Sequence, residues 1–333
     1  MKVLVVTNMY PTSEGSSLGI FVKGQVESLR KEGVDIDVFF VNGRKNTLNY
    51  LWAFPRFWAR LLTHRYDLIH AHYVFSGIIA RAQLLYPVVL THHGLEVFTT
   101  WQRFPSRIIT PLVNKVILVS QQQKKKLGCE KAEVIPCGID FNFFQPMPRE
   151  EARKKLNLPQ DKKLVCWVGQ NTRPEKRFDI VQAAVAIAQK KDPDIEFVLV
   201  SGKPPDVVPV YMNACDVILL VSDGEGSPMV IKEAMACNLP IVSVPVGDVP
   251  EVIGGTDGCY LCSQDPEDVA EKLALALQFR KRTDGREKIS HMEIGAIARR
   301  IISVYEDLLR QKKGRGLARF WFWQKKYLTS QVK

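Results

Sequence analysis

Two glutamates, Glu225 and Glu233, flank the stretch of this chain that is best suited to chemistry. Between them, Ser227 and Pro228 predict the start of a helix, because serine is a favoured N-cap residue and proline is common at the first helical position. A helix N-terminus at the carboxyl end of a parallel strand presents free backbone N–H groups and a partial positive charge, which suits phosphate. Carboxylates beside such a site need a partner, and sugar hydroxyls would be one. A solvated loop glutamate and a surface helix glutamate would give the same pattern.

The neighbouring residues predict the elements that hold these groups. Residues 217–221 form a short apolar run, typical of a strand buried on both faces, and residues 222–226 contain two glycines and an aspartate, typical of a turn. Residues 241–246 predict the next strand. Apolar residues recur at helical spacing between the two strands and should face the sheet: Val230, Ile231, Ala234 and Met235.

Length and composition predict a globular protein of two domains. The chain has 333 residues, of which 46% are hydrophobic and 24% charged. We expect no secretion signal, no membrane-spanning segment and a reducing, cytoplasmic location, since the N-terminus opens into a strand, no long apolar run occurs and the seven cysteines are scattered. The net charge of +11 indicates an anionic partner.

The N-terminal part begins with a strand over 2–7, a loop, a helix over 20–31 and a strand over 34–41, which is how a doubly wound α/β domain starts. Gly15 and Gly19 stand in the loop, where backbone can approach a ligand closely. The loop lacks the G-x-G-x-x-G pattern, so a nicotinamide site is poorly supported.

Two aspartate pairs, one histidine pair and one cysteine pair resemble metal-binding motifs, and we interpret all four pairs as structural. Two D-x-D motifs fall in a predicted strand and in a turn, and no third ligand accompanies the histidine pair or completes a zinc site with the cysteine pair. These pairs are Asp35 and Asp37, Asp192 and Asp194, His70 and His72, and Cys259 and Cys262.

The seven-residue spacing from Glu225 to Glu233, followed by Ala234-Met235-Ala236, resembles the E-x7-E motif of the family-4 glycosyltransferases, which are retaining enzymes of GT-B fold. Other motifs of that family follow in its order over roughly residues 1–311. The resemblance implies an α/β fold of two doubly wound Rossmann-like domains with a cleft between them. It divides the chain into an N-terminal acceptor-side domain (1–146), a C-terminal domain that binds the nucleotide sugar (147–296), a helix that crosses back to the N-terminal domain (297–311) and a tail (312–333).

The resemblance also implies roles for individual residues. His93, in a segment similar to the family's T-x-H-G, would contact the transferred sugar together with Glu225, and these two are the candidate catalytic residues. Glu233 would bind the ribose and Lys176 the diphosphate. The remaining candidate donor-binding residues are Gly19, Arg173, Ser227, Pro228, Met229 and Val230.

Two departures from the family pattern concern the phosphate site. Gln170 stands where the family has an arginine, and Arg173 could supply that charge. Gly19 matches only one of two glycines that the family pairs. The resemblance implies no metal and no cofactor, with a UDP- or GDP-type nucleotide sugar as a substrate.

Two acid-free stretches combine aromatic and basic side chains. Residues 312–333 contain seven lysines and arginines, and residues 49–66 contain Trp52 and Trp58. Tryptophan favours the headgroup region and basic residues favour anionic lipid. We therefore expect the tail, helped by 49–66, to bind the inner face of an anionic plasma membrane, which would suit a lipid-linked sugar acceptor. Packing of the tail on the N-terminal domain is the alternative.

The sequence thus predicts a retaining hexosyltransferase that acts in bacterial envelope or extracellular polysaccharide or glycolipid synthesis. One alternative is a non-catalytic partner subunit that binds nucleotide or membrane, given the departures at Gln170 and in the glycine loop. A second is a nucleotide-sugar epimerase. Nucleic-acid binding rests on charge alone, because no nucleic-acid-binding motif is present.

Overall fold

The computed structural model describes residues 1–11 and 19–330, and for residues 95, 100 and 313–330 it describes the backbone only. Gly15 of the predicted glycine loop lies outside these residues. The described chain forms two parallel sheets, each with helices on both faces, which confirms the predicted pair of doubly wound α/β units.

The first sheet has six strands in the order β2-β1-β3-β4-β5-β6. Its strands are β1 (Lys2–Thr7), β2 (Asp35–Phe40), β3 (Leu68–His72), β4 (Val88–His92), β5 (Lys115–Leu118) and β6 (Glu133–Val134). The helices between them are α1 (Ile20–Lys31), α2 (Asn49–Thr63), α3 (Val74–Arg81), α4 (Leu95–Phe98), α5 (Thr100–Ile109) and α6 (Gln121–Leu127). The short β6 was not predicted from the sequence.

Apolar residues alternate between the two faces of this sheet, as both faces of a parallel sheet are covered. Val3 and Val5 of β1 pack with Val26 of α1 in one core cluster. Leu4 and Val6 point the other way and pack under α2, α3 and α5. Strand β1 therefore lies at the centre of two hydrophobic cores.

The second sheet has five strands in the order β11-β10-β9-β7-β8. Its strands are β7 (Lys163–Val168), β8 (Ile195–Val200), β9 (Val217–Leu220), β10 (Ile241–Ser243) and β11 (Tyr260–Leu261). Its helices are α7 (Arg149–Leu156), α8 (Phe178–Lys191), α9 (Val208–Ala214), α10 (Met229–Ala236), α11 (Val249–Ile253), α12 (Pro266–Phe279) and α13 (Gly285–Lys288). Strand β10 is shorter than the predicted strand over 241–246.

The second sheet is also packed on both faces. Cys166 and Ile218 lie in the core with α9, α10 and α11. Val165 and Val217 lie in the opposite core with α8 and α12. The predicted inward face of α10 is largely as expected: Ile231, Ala234 and Met235 are buried, and Val230 is partly buried against the same core.

The last helix, α14 (Ile294–Ser330), returns to the first sheet. Ile297, Ile301 and Tyr305 pack with residues of β1 and α1. The helix is longer than the predicted one, and it includes much of the predicted tail; residues 331–333 and the side chains of 313–330 lie outside the description. Among the described residues, none of the helices is both long and apolar enough to cross a membrane.

Candidate active site

The carboxyl ends of the two sheets meet at three glycines. Gly94 follows β4, Gly226 follows β9 and Gly247 follows β10. A Cβ atom on Gly226 would overlap the backbone of His93 and Gly94, and a Cβ atom on Gly247 would approach the Gly226 backbone to 2.6 Å. Backbone therefore contacts backbone across the domain boundary, and the loops that carry His93 and Glu225 lie side by side.

Lys176 and Glu225 form an ion pair on the C-terminal side of this junction. Lys176 ends the short 3-10 turn Pro174–Lys176 after β7, and its Nζ lies 2.6 Å from Oε1 of Glu225. The two loops are joined by the backbone N–H of Asp223, which donates to the carbonyl oxygen of Glu175 at 2.9 Å. The side chains are mostly buried, with 21% of Lys176 and 16% of Glu225 exposed. The structure thus brings together the predicted phosphate-binding lysine and the predicted sugar-binding glutamate.

Helix α10 begins one residue later than predicted. Pro228 is its N-cap and Met229 its first residue, and no side chain caps the helix. The prediction that Ser227 caps it is wrong, because the Ser227 hydroxyl donates to Oδ2 of Asp248 at 2.7 Å and accepts from Nζ of Lys232. The first N–H groups of a helix have no partner within it, so the start of α10, with Met229 and Val230, still supplies donors beside the ion pair.

The buried pair of Lys232 and Asp248 was missed in the sequence. Lys232 is fully buried, and its Nζ lies 2.7 Å from Oδ2 of Asp248. Only the tertiary fold joins them, because 16 residues separate a helix from the loop after β10. The backbone N–H of Cys137, in the linker between domains, also donates to Oγ of Ser227 at 3.4 Å. This cluster fixes the start of α10 against both the β10 loop and the linker.

Glu233 lies on α10 with its side chain half-buried. Burial raises the pKa of its carboxyl to about 7, and the nearby charge of Lys232 opposes that shift. Glu233 therefore exchanges its proton close to neutrality while no donor is bound. A carboxylate at this place could accept hydrogen bonds from a vicinal diol, the role predicted for it.

His93 follows β4, and its loop is held by a buried carboxylate. Glu96 accepts from the backbone N–H of His93 at 2.7 Å and from that of Gly94 at 3.1 Å. The His93 ring bonds through Nε2 to Nδ1 of His72 at 2.8 Å, and its Nδ1 lies 3.8 Å from the Cys137 sulfur. Desolvation by burial lowers the pKa of His93 well below its ordinary value, so the ring is neutral and can act as a hydrogen-bonding group.

The tilted rings of Tyr73 and Phe21 pack against His93, and no sequence motif pointed to either residue. Their ring centroids lie 4.9 and 5.0 Å from that of His93. Tyr73 has a φ of 71°, which is rare for a bulky residue and is often found at functional sites. Burial and the charge of Glu96 raise the pKa of the Tyr73 hydroxyl well above its ordinary value, so it remains a hydrogen-bond donor.

Gly19 is the N-cap of α1, with a φ of 72°. A Cβ atom at this position would overlap the backbone of Met9 and Tyr10, so glycine is required by the close return of the chain beyond β1. This packing positions the first turn of α1, including Phe21, beside His93. The contact of Gly19 with a donor stays a prediction.

Arg173 stands in the same loop as Lys176, but it is paired with Glu175 through Nε at 2.8 Å. Gln170, which occupies the arginine position of the family, is exposed. The role of Arg173 in phosphate binding remains a prediction that depends on release from Glu175.

The acidic and histidine motifs have structural partners. Asp37 pairs with Arg60 at 2.9 Å, and Asp192 pairs with Lys163 at 2.5 Å. His70 lies between the hydroxyls of Tyr305 and Thr91. Across the described residues, no group of three or more histidine, cysteine, aspartate and glutamate side chains is placed to hold a metal ion.

Two family models match the chain, one on each sheet. The model described as Glycosyltransferase Family 4 matches residues 2–143, and the one described as Glycosyl transferases group 1 matches residues 201–278. The first match contains His93, and the second contains Glu225, Ser227 and Glu233.

Curated relatives of this chain are named as glycosyltransferases. A Bacillus subtilis (strain 168) protein named as a teichuronic acid biosynthesis glycosyltransferase is 27% identical, over 82% of this chain and 88% of its own length. A D-inositol 3-phosphate glycosyltransferase of Actinosynnema mirum is 26% identical over 68% of each chain.

Solved structures share the fold. Sucrose-phosphate synthase from Thermosynechococcus elongatus has a TM-score of 0.78 at 21% identity, covering 93% of this chain and 99% of its own. Anabaena HepE, solved in complex with UDP, has a TM-score of 0.72 at 16% identity, covering 92% of this chain and all of its own. With both family models and the curated relatives in agreement, the chain belongs to the family-4 type of glycosyltransferases and has their GT-B fold.

Proposed function

We propose that this glycosyltransferase is a retaining enzyme that moves a hexosyl group from a nucleotide diphosphate sugar to an acceptor hydroxyl. The observation that carries the proposal is the pairing of Lys176 with Glu225 beside the start of α10. Lys176 and the free N–H groups of the helix suit the diphosphate of a nucleotide sugar. The Glu225 carboxylate, at the same place, suits a hydroxyl of the transferred sugar. The complex of Anabaena HepE with UDP-glucose supports a donor of this class in the shared fold.

In this proposal the donor replaces the ion pair. Lys176 and the first N–H groups of α10 hold the diphosphate, with Arg173 joining if it leaves Glu175. Glu233 accepts hydrogen bonds from the ribose. These fixed positive groups can stabilise the leaving phosphate by themselves, so the proposed reaction requires no metal ion.

The transferred sugar lies between Glu225 and His93. The bond from its anomeric carbon to the phosphate oxygen breaks, a bond to the acceptor oxygen forms on the same face, and the acceptor proton passes to the leaving phosphate. Neutral His93 donates a hydrogen bond to a sugar hydroxyl or accepts one from it. Glu225 accepts a hydrogen bond from another sugar hydroxyl. Gly19 admits the donor by keeping the backbone beyond β1 close to the sheet.

The acceptor is proposed to be a lipid-linked sugar in bacterial envelope polysaccharide or glycolipid synthesis. The curated Bacillus relative, named for teichuronic acid biosynthesis, supports an envelope polymer. The working location would be the cytoplasmic face of the plasma membrane, with the stretch 312–333 contributing its seven basic residues.

Release of nucleotide from a panel of UDP-, GDP-, ADP- and dTDP-linked sugars tests the proposal. We expect one donor to be consumed in an acceptor-dependent way. Binding of donors without turnover would instead identify a non-catalytic subunit. Conversion of the donor to a second nucleotide sugar, without an acceptor, would identify an epimerase.

A further inference from the structure

The outer face of the N-terminal domain presents two apolar stripes that are exposed among the residues whose side chains the structure describes. On α2 and its N-cap, five exposed apolar residues lie on the side opposite the buried Ala53, Phe57 and Leu61. They are Leu48, Leu51, Trp52, Trp58 and Leu62. Trp52 is 66% exposed and Leu62 79%. One side of this helix thus packs on the sheet, and large apolar side chains on the opposite side meet solvent.

Helix α5 repeats the arrangement, and nothing in the sequence pointed to it. Trp101, Phe104 and Ile108 are spaced three and four residues apart and are 63%, 71% and 51% exposed. Among the residues of this helix whose side chains the structure describes, Ser106 and Ile109 are buried. Arg103 and Arg107 flank the exposed stripe.

The two stripes lie on helices that cover the same face of the sheet. Phe75 of α3 lies between the helices, with its ring centroid 5.3 Å from that of Tyr50 on α2 and 6.0 Å from that of Trp101 on α5. Ile78 of α3 is exposed between the stripes, and Leu84 and Leu85 extend the surface beyond the end of α3. Large apolar side chains exposed on neighbouring helices of one face are a feature of surfaces that bind a partner or a membrane.

The charge of the surrounding chain identifies that partner. Residues 38–129 contain twelve lysines and arginines and only two acidic residues, Asp67 and Glu96. Glu96 is buried and occupied by the backbone of His93 and Gly94. A second copy of such a surface would be repelled by the first, whereas a surface of anionic headgroups over an acyl interior matches both the charge and the apolar stripes.

We propose that the stripes of α2 and α5 form a docking face that enters the headgroup region of an anionic lipid bilayer. Helix α14 packs on the other face of the sheet, and its Lys312 side chain reaches the loop after α3, where Nζ donates to the carbonyl oxygen of Leu85 at 3.4 Å. The stretch after Lys312 therefore starts at the edge of the docking face. Strand β3 leads to the cleft residue Tyr73, which is the N-cap of α3, so the same face adjoins the cleft where a lipid-linked acceptor would enter.

Vesicle flotation without any donor tests this proposal independently of the transfer reaction. The probes are vesicles of phosphatidylcholine alone and of an equimolar mixture of phosphatidylcholine and phosphatidylglycerol. The proteins are the full chain, a chain ending at Gln311, and the triple variant Trp101→Ser, Phe104→Ser, Ile108→Ser in both lengths. The matched control replaces two exposed leucines of the other domain, Leu261→Ser and Leu275→Ser, which are 42% and 37% exposed.

We expect both parent lengths and the control to float with the anionic vesicles at low salt, and recovery of the triple variant to fall at least fivefold in both lengths. Equal recovery of the triple variant and its parent, or no flotation of the chain ending at Gln311, would overturn the proposal. So would a parent that dimerises in sedimentation and a triple variant that does not, since a second copy would then be the occupant. Unchanged thermal unfolding of the triple variant excludes misfolding as the cause of its loss.

Tryptophan fluorescence gives a second readout in the shortened chain. Of its four tryptophans, Trp52, Trp58 and Trp101 are exposed on the docking face, and Trp167 is buried in the other domain. Lipids brominated on the acyl chain should quench the tryptophan fluorescence of the shortened parent at least twice as strongly as that of its double variant Trp52→Phe, Trp101→Phe. Equal quenching in the two proteins would contradict insertion of this face.

Discussion

Nζ of Lys176 lies 2.6 Å from Oε1 of Glu225, and the two side chains come from loops that follow neighbouring strands, β7 and β9. Each side chain is therefore the ionic partner of the other in this structure. A nucleotide sugar has to separate them, taking the lysine with its diphosphate and the glutamate with a sugar hydroxyl. The pair thereby couples recognition of the phosphate to recognition of the sugar.

Replacement of Lys176 tests its phosphate contact. We expect Lys176→Ala to weaken UDP binding by about 1.5–3 kcal/mol, the range for a hydrogen bond to a charged group, or roughly tenfold to hundredfold. Calorimetry measures it. Lys163→Ala is the matched control, since Lys163 also pairs with an acid in this domain but starts β7, at the opposite end of the strand. Equal affinities of Lys176→Ala and the parent protein would place the diphosphate elsewhere.

Replacement of Glu225 should have opposite effects on binding and on transfer. Glu225→Gln releases Lys176. UDP has no transferred sugar and therefore loses no contact, so it should bind about 1.4- to fivefold more tightly, as expected for a partly exposed ion pair worth about 0.2–1 kcal/mol. Transfer should fall, because the sugar loses its carboxylate partner. Glu271→Gln, which removes an exposed carboxylate near Lys272, should change neither quantity. Weaker UDP binding by Glu225→Gln would refute the competition between donor and ion pair.

The pKa of Glu233 predicts how donor binding depends on pH. Its donor-free pKa of about 7 is raised by burial, so the fold favours the protonated form and this group's contribution to stability is lost as pH rises towards 7. Ribose hydroxyls favour the carboxylate, so binding should release a proton below neutrality. The affinity for UDP-glucose, whose diphosphate does not titrate near neutrality, should increase up to about pH 7 and then level.

Calorimetry over this pH range, in buffers of different ionisation enthalpy, measures both the affinity and the released proton. Glu233→Gln carries no titrating group at this position, so its affinity should be lower and flat with pH. Parallel pH profiles for the parent protein and Glu233→Gln would show that another group controls the dependence.

The buried pair of Lys232 and Asp248 should be essential for stability. Lys232→Met leaves the Asp248 carboxylate buried without its cation, which should lower the free energy of unfolding by about 3–5 kcal/mol. The double variant Lys232→Met, Asp248→Asn removes both charges and should recover part of the loss. Lys272→Met removes only surface pairs with Asp268 and Glu271 and should cost about 0–1 kcal/mol.

Thermal and denaturant unfolding compare these variants. A single variant Lys232→Met as stable as Lys272→Met would show that the buried cluster does not hold the start of α10. A double variant less stable than the single one would show that the two charges are not coupled.

Much of the fold could be predicted because its signals are local. The apolar runs of β1 and β9 and the helical spacing of α1 predict a doubly wound sheet without knowledge of any contact. The sequence predicted that Glu225 stands in the loop before α10 and Glu233 inside that helix, and the structure places them there. Their roles stay predictions, as does that of Lys176, although the structure joins Lys176 to Glu225.

The remaining features depend on contacts between distant segments. Ser227 has the residue type of an N-cap, but Lys232 and Asp248 take its hydroxyl once β10 is in place. The ring of Tyr73 reaches His93 because its backbone has a positive φ, a conformation that the presence of a tyrosine does not predict. The stripe of α5 is apolar at helical spacing like any core helix, so only the fold shows that it faces outwards.

The anomeric configuration of the product tests the central claim most directly. The donor that releases nucleotide in the panel is incubated with its acceptor, and the coupling of the product's anomeric proton is followed by NMR from the first turnover. Retaining transfer in the cleft of Lys176, Glu225 and His93 predicts the same anomeric configuration in the product as in the donor. A product with the inverted configuration would contradict it.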